Sequence, residues 1–262
     1  MSRHNQVFFV VVLLACAVGF YLVMGISKTT LPDVAPKTAL IGEPELPDFT
    51  QYTQVKEKKS AFFAFMLPLV EQENQRIAAL RVALMGLKAE ANQLTGSEED
   101  WLQELAGFYR IKDAAAANEK LISDLLLKVD TIPPSLALSQ SANESAWGTS
   151  RFAVKGNNLF GQWCFKKGCG IVPSGRDNGA NHEVAKFSSP RQSVQSYIHN
   201  LNTNAAYIPL RALRATNRKE AKPVTGQLLA QGLLKYSSRG EAYVDELQQM
   251  IRINKLGQYD TL

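Results

Sequence analysis

Residues 131–161, TIPPSLALSQSANESAWGTSRFAVKGNNLFG, constrain this chain more than any other stretch, because they put a carboxylate at the end of an apolar helix. Thr131 is placed to cap that helix. Pro133 and Pro134 fit its start, where a backbone N–H has no intrahelical partner. Leu136, Leu138, Ala142 and Ala146 make the segment apolar enough to be mostly buried, and Gly148 is suited to stop it in the left-handed conformation. Glu144 then lies late on a buried helix, beside Trp147. Desolvation there disfavours the charged carboxylate and raises its pKa, which a general acid working near neutrality requires. The bland reading of the same residues is a capped Glu at a helix end.

Two motifs in order, SANESAWG and then NNLFG, decide against the bland reading. Together they resemble the signature of glycoside hydrolase family 73, bacterial N-acetylglucosaminidases of the lysozyme-like group that cut peptidoglycan. The chain as a whole is most similar to the bacterial Bax-type proteins, strongly over about 133–213 and more weakly in KKSAFFAFMLPLV upstream. The resemblance implies a lysozyme-like α+β domain with a small loop-rich β lobe; with the helical pattern upstream and an N-terminal transmembrane helix read from the apolar run at 7–26, the expected fold is mainly α. The resemblance also implies an endo-β-N-acetylglucosaminidase that acts on peptidoglycan glycan strands without cofactor or metal.

Splitting a glycosidic bond needs a proton for the departing oxygen and support for positive charge at the anomeric carbon. The resemblance assigns the acid to Glu144. Many relatives carry a second Glu in a Thr-Glu-Tyr context, and no such tripeptide occurs here. Glu183 in NHEVAKF is the nearest candidate and Asp177 a more distant one; if neither serves, the sugar's own acetamido group can be the nucleophile. Tyr207 in NTNAAYI matches a family tyrosine near the reacting centre. Asn158 and Phe160, with Leu159 and Gly161, match the cleft-lining NLFG turn. Trp147, Trp163 and Tyr197 are candidates for stacking on sugar faces, the first being equally suited to a core. Lytic transglycosylases also carry a Glu-Ser pair at a helix end, matched by Glu144-Ser145, but they follow it with a Gly-Leu-Met-Gln type of motif where NLFG stands here. A non-catalytic wall-binding scaffold is the reading from a different class.

The remaining chain supplies the setting. Residues 7–26 carry no charge over twenty positions, long enough to span a hydrocarbon core. An uncleaved anchor is preferred to a signal peptide because the apolar run continues past Ala15-Cys16-Ala17. Leu13-Leu14-Ala15-Cys16 only faintly resembles a lipoprotein site. The expected address is the cell envelope: anchored in the inner membrane and facing the periplasm, or periplasmic if the segment is cleaved. The expected organisation is an anchor over 1–27, a proline-punctuated linker over 28–55, a helical part over 56–130 and a glucosaminidase region over 131–262. The β lobe of that region covers about 155–187.

Pro68 is expected to kink or break the first helix. Ile77, Leu80, Leu84, Leu87, Ala91 and Leu94 form a stripe at 3-4 spacing, read as a helix on a core in preference to a coiled coil or an oligomerisation face. Ser97 with Asp100 resembles a capping box that opens a helix through Tyr109, and a third helix is expected over about 114–128. Later helices are expected from Pro190, over 210–215, 224–234 and 241–254, with a break at Tyr207-Ile208-Pro209. The segment KYSSRG resembles the turn that brings the last helix back to the cleft. Cys164 and Cys169 in WCFKKGC read as a disulfide, because a metal site needs two more ligands and the spacing matches no zinc pattern. The net charge of +5 is scattered, without the basic-aromatic blocks of a nucleic-acid binder, and attraction to an anionic polymer or membrane surface accounts for it equally well.

Overall fold

The computed structural model describes residues 30–36, 43–176, 179 and 182–260. The apolar span at 7–26 and Asp177 lie outside them. Helix α1 (Val55–Ala89) runs unbroken through Pro68. Pro68 is exposed, whereas Met66, Leu69 and Val70 around it are buried. The carbonyl deprived of its N–H partner therefore faces water, and packing of the inner face holds the two halves in line, so the expected break does not occur. The stripe from Ile77 to Ala91 is buried within the chain. Helix α1 thus lies on a core, against α3 (Asn118–Lys128), α4 (Pro134–Glu144) and α6 (Pro190–Thr203).

Helix α2 (Gly96–Phe108) starts two residues earlier than the expected capping box places it. The box is Thr95 with Glu98: Thr95 donates to Glu98 from both its backbone N–H and its hydroxyl, each at 2.8 Å. A Glu reaches back to the cap residue where the shorter Asp100 does not. The described parts of the expected linker pack on these helices. Val34 and Phe49 are buried, Trp101 Nε1 donates to the Pro32 carbonyl (2.8 Å), and Arg76 Nη1 donates to that of Val34 (2.8 Å).

Helix α4 is the centre. Every residue from Pro134 to Ala142 is buried, and α1, α8 (Gly226–Ala230), α9 (Glu241–Ile253) and the turn at Leu256–Tyr259 surround it. Its entry is pinned by Asn74 of α1, which donates to the Ile132 carbonyl (2.8 Å) and accepts from the Ile132 N–H (3.1 Å). Thr131 does not cap it. The cap comes from Asp260, whose carboxylate accepts from Ser135 N (2.9 Å), Ser135 Oγ (2.7 Å) and Gly226 N (2.9 Å), joining two helix starts. The small residues of α4 let these neighbours come close: a Cβ on Gly226 would fall 2.1 Å from Ser135 Oγ.

After the short α5 (Arg151–Gly156), the lobe is a three-stranded antiparallel sheet of β1 (Trp163–Cys164), β2 (Gly170–Ile171) and β3 (Glu183–Ala185), in the order β1-β3-β2. Trp163 pairs with Val184 and Cys164 with Glu183. The expected disulfide joins Cys164 to Cys169. Helix α6 then ends at Asn204, and Pro209 sits in the first turn of α7 (Ile208–Lys219), so the expected break at Tyr207-Ile208-Pro209 is a helix start. Among the described residues no helix is long and apolar enough to cross a membrane.

The joint between α1, α3, α4 and α7 is held by Asp130, which is buried. Arg218 donates to both of its carboxylate oxygens (2.6 Å each), and Arg81 and Arg214 lie 3.4 and 3.5 Å from Oδ2. Removing this carboxylate leaves a fully buried guanidinium at Arg214 without its counter-charge. Asp130→Ala is therefore expected to lower unfolding free energy by about 3–5 kcal/mol, read by denaturant unfolding. A loss within error of zero would show that the helix carbonyls alone satisfy the three arginines.

Candidate active site

Helix α4 delivers Glu144 and stops there, and the stop is unusual. Ala146 (φ 50°) and Trp147 (φ 59°), ahead of Gly148 (φ 77°), both take the left-handed conformation. For residues with a Cβ this costs on the order of 1 kcal/mol each and persists only where surroundings enforce it. Here Ser145 Oγ donates to the Ser141 carbonyl (2.6 Å) and accepts from Gly148 N (2.8 Å), while Trp147 N donates to the Ala142 carbonyl (2.9 Å). The Trp147 ring packs edge-on against Phe62 and Phe63 of α1. The expectation that Gly148 alone stops the helix therefore fails: the reversal begins two residues earlier, fixed by tertiary contacts.

The Glu144 carboxyl is half-buried. Tyr243 of α9 donates its hydroxyl to Oε1 at 2.8 Å. That hydroxyl accepts from Gln140 Nε2 (2.9 Å), and Gln140 Oε1 accepts from the Tyr197 hydroxyl (2.6 Å). Each donor in this chain points toward the carboxylate, so the chain has one direction. Tyr236 stacks on Tyr243, leans on Tyr207 and donates to the Phe160 carbonyl (2.7 Å). On the other side lies Gly161 of the NLFG turn, at φ 62°, where a Cβ would stand 3.0 Å from Glu144 Oε2. Only glycine brings the main chain this close to the acid in this conformation.

Electrostatics follow from this enclosure. Burial pushes the Glu144 pKa above the usual carboxylate range, and the Tyr243 bond and the Arg239 charge pull part of the way back. Burial also holds Tyr197, Tyr207, Tyr236 and Tyr243 neutral, with the charge on Glu144 adding to the rise in each. The arrangement can hold a proton at Glu144 and give it to an oxygen brought to the half-exposed carboxyl.

The other expected site residues are placed as follows. Tyr207 is buried in the tyrosine cluster near Glu144. Tyr197 and Phe160 are fully buried and stack on each other (3.9 Å), which removes both from direct contact with a sugar. Asn158 is buried and builds the turn: it donates to the Gln162 and Ala185 carbonyls (2.8 and 2.9 Å) and accepts from Phe160 N and Gln162 N (3.3 and 3.0 Å). Trp147 is committed to α1, with Lys59 Nζ over its ring at 4.9 Å. Trp163 is 57% exposed, one face on His182 (4.1 Å). Glu183 is buried and accepts from Gly168 N (3.0 Å) and Gly170 N (2.8 Å), bonds that hold its pKa below the usual carboxylate value. It braces the disulfide loop. Its oxygens and the two sulfurs form the one cluster of potential ligands among the described residues, but sulfurs joined in a disulfide offer no thiolate to a metal.

Gln140, Tyr236 and Tyr243 were not singled out from sequence. Gln140 had a signal, lying four residues before Glu144 and hence on the same helix face. Tyr236 lies inside KYSSRG and Tyr243 one helical turn past it, a segment legible only as a turn towards the site.

The family model described as mannosyl-glycoprotein endo-beta-N-acetylglucosaminidase matches residues 120–256. Protein bax of Escherichia coli (strain K12) is 35% identical over 210 residues, which cover 80% of this chain and 74% of that protein. No solved structure matches the chain.

Because the Tyr243 hydroxyl favours the charged carboxylate, Tyr243→Phe is expected to raise the Glu144 pKa further. A carboxyl-carbon NMR titration reads it. An unchanged or lowered value would mean that the hydroxyl does not stabilise the anion.

Proposed function

Since the chain belongs to the glucosaminidase family, glycoside hydrolase family 73, and is a glycoside hydrolase, we propose that it cleaves peptidoglycan glycan strands after N-acetylglucosamine in the bacterial cell envelope. The observation that carries this reading is Glu144: a half-buried carboxyl at the end of a buried helix, raised in pKa by desolvation and held by Tyr243. In its protonated form it gives a proton to the glycosidic oxygen of the leaving sugar, and as the carboxylate it later takes one from an attacking water. Residues 131–262 form the lysozyme-like glucosaminidase region of this proposal, with 155–187 as its β lobe and 56–130 as the helical support of α4.

Glu183 is not the second catalytic group in this reading, because two loop N–H groups occupy its carboxylate. The nucleophile is then the acetamido oxygen of the sugar at the cleavage point, which attacks the anomeric carbon as the leaving oxygen departs. In this reading Tyr207, a neutral phenol in the tyrosine cluster near Glu144, orients that acetamido group. Trp163 offers its free ring face to a sugar further along the strand. The same single-carboxylate site also suits lytic transglycosylation, in which the muramyl 6-hydroxyl replaces water as the acceptor.

Glu144→Gln is expected to lower the rate of glycan cleavage by about 10²–10⁴-fold, with a clearing band on a peptidoglycan zymogram lost. A well-folded variant that clears normally would end the assignment. Glu183→Gln is expected to keep catalysis within about one order of magnitude while the loop it braces loosens. Complete loss of activity in a variant with unchanged thermal stability would restore Glu183 as a catalytic group. Mass spectrometry of digested sacculi is expected to show reducing N-acetylglucosamine ends, whereas anhydro-muramyl ends would identify a transglycosylase.

A further inference from the structure

Roughly 15 Å from Glu144, at the other end of α4, cations collect beyond what the fold uses. A cavity of about 340 Å³ is lined by Arg81, Lys88, Arg214, Arg218 and Lys219 against a single carboxylate, Asp130. Asp130 is already engaged by Arg218 through two bonds, with Arg81 and Arg214 beside it. The last carbonyls of α3 take up part of the rest: Arg81 donates to Leu126 and Val129, and Arg214 to Leu127 and Lys128. A helix C-terminus supplies only roughly half an elementary charge, so the positive excess stands. The side chains of Lys88 and Lys219 are exposed and have neither a hydrogen bond nor an ion pair among the described residues. Arg218 Nη1 and Arg81 Nη2 likewise have no acceptor among the described residues, Arg218 being exposed and Arg81 half-buried.

We propose that this cavity binds a phosphate group, as a mono- or diester carried by an anionic envelope component. Guanidinium forks fixed by Asp130 and by helix carbonyls present N–H groups in set directions, the geometry that oxyanions accept. Two lysines at the rim supply charge without directional demand, and the Ser123 side lines the same cavity. A second cavity of about 690 Å³ shares Arg81, Asp130 and Arg218 and adds Lys222, giving room for whatever carries the phosphate. Burial lowers the pKa of Arg81 and brings that of Arg214 to about 10; Asp130 opposes both shifts and neighbouring guanidiniums add to them. A bound anion relieves that repulsion.

The test uses the full chain and thermal unfolding in sodium phosphate against sodium chloride, at equal ionic strength and pH. Phosphate at roughly tenfold over its dissociation constant is expected to raise Tm by about 3 °C above chloride. In the Lys88→Gln/Lys219→Gln double variant that difference is expected to vanish. Both lysines are exposed and unbonded, so the variant folds as the parent does. Equal Tm in the two salts overturns the proposal. So does a phosphate shift that survives in the double variant, which would be general salting. Co-sedimentation with phosphatidylglycerol and phosphatidylcholine vesicles separates the sources. Weaker phosphatidylglycerol binding by the double variant than by the parent identifies a lipid headgroup. Equal vesicle binding alongside a lost phosphate shift identifies a soluble phosphate ester.

Discussion

Burial of α4 on all sides is the constraint on which the rest depends. A helix enclosed by α1, α8, α9 and the C-terminal turn has no solvent to satisfy its hydroxyls or its ends. Each polar group must find a partner within the protein. Ser139 and Ser141 turn back onto the carbonyls of Leu136 and Leu138, Asp260 caps the start, and Ser145 ties the end. With both ends fixed, the position and environment of Glu144 are fixed as well.

That enclosure gives the acid its character. An exposed carboxyl at a helix end would ionise well below neutrality. Here desolvation is the dominant influence, moderated by one phenolic hydroxyl that is itself held by Gln140 and, behind it, by Tyr197. Positive φ at Ala146 and Trp147 lies directly after the acid, where the chain reverses out of the core. Strain at such a place is tolerated because Phe62, Phe63 and the Ser145 hydroxyl over-determine it.

Two of the buried carboxylates, Glu183 and Asp130, show different solutions to burial. Glu183 is stabilised as an anion by loop N–H groups and serves the lobe. Asp130 is stabilised by arginines that are themselves held by helix carbonyls, and it serves the joint between helices. Neither resembles Glu144, which has no ion pair among the described residues and whose dominant influence is desolvation, so that it keeps a proton more readily.

The residues by themselves determined much. Helical periodicity in α1, the apolar run of α4 and the cysteine pair of WCFKKGC are local properties, and they led to a mainly helical chain with a small lobe and to its disulfide, while the SANESAWG and NNLFG motifs singled out Glu144 as the candidate. What sequence left open or misplaced was decided at long range. The cap of α4 comes from Asp260, 125 residues away; Tyr243, 99 residues on, completes the acid; and Phe160 and Tyr197, aromatic enough to suit a sugar, are taken by the core. Pro68 is harmless because tertiary packing turned it to water. Local preferences act over a turn or two of backbone, whereas desolvation and hydrogen-bond satisfaction depend on which distant segments close around a group, and only the folded chain settles that.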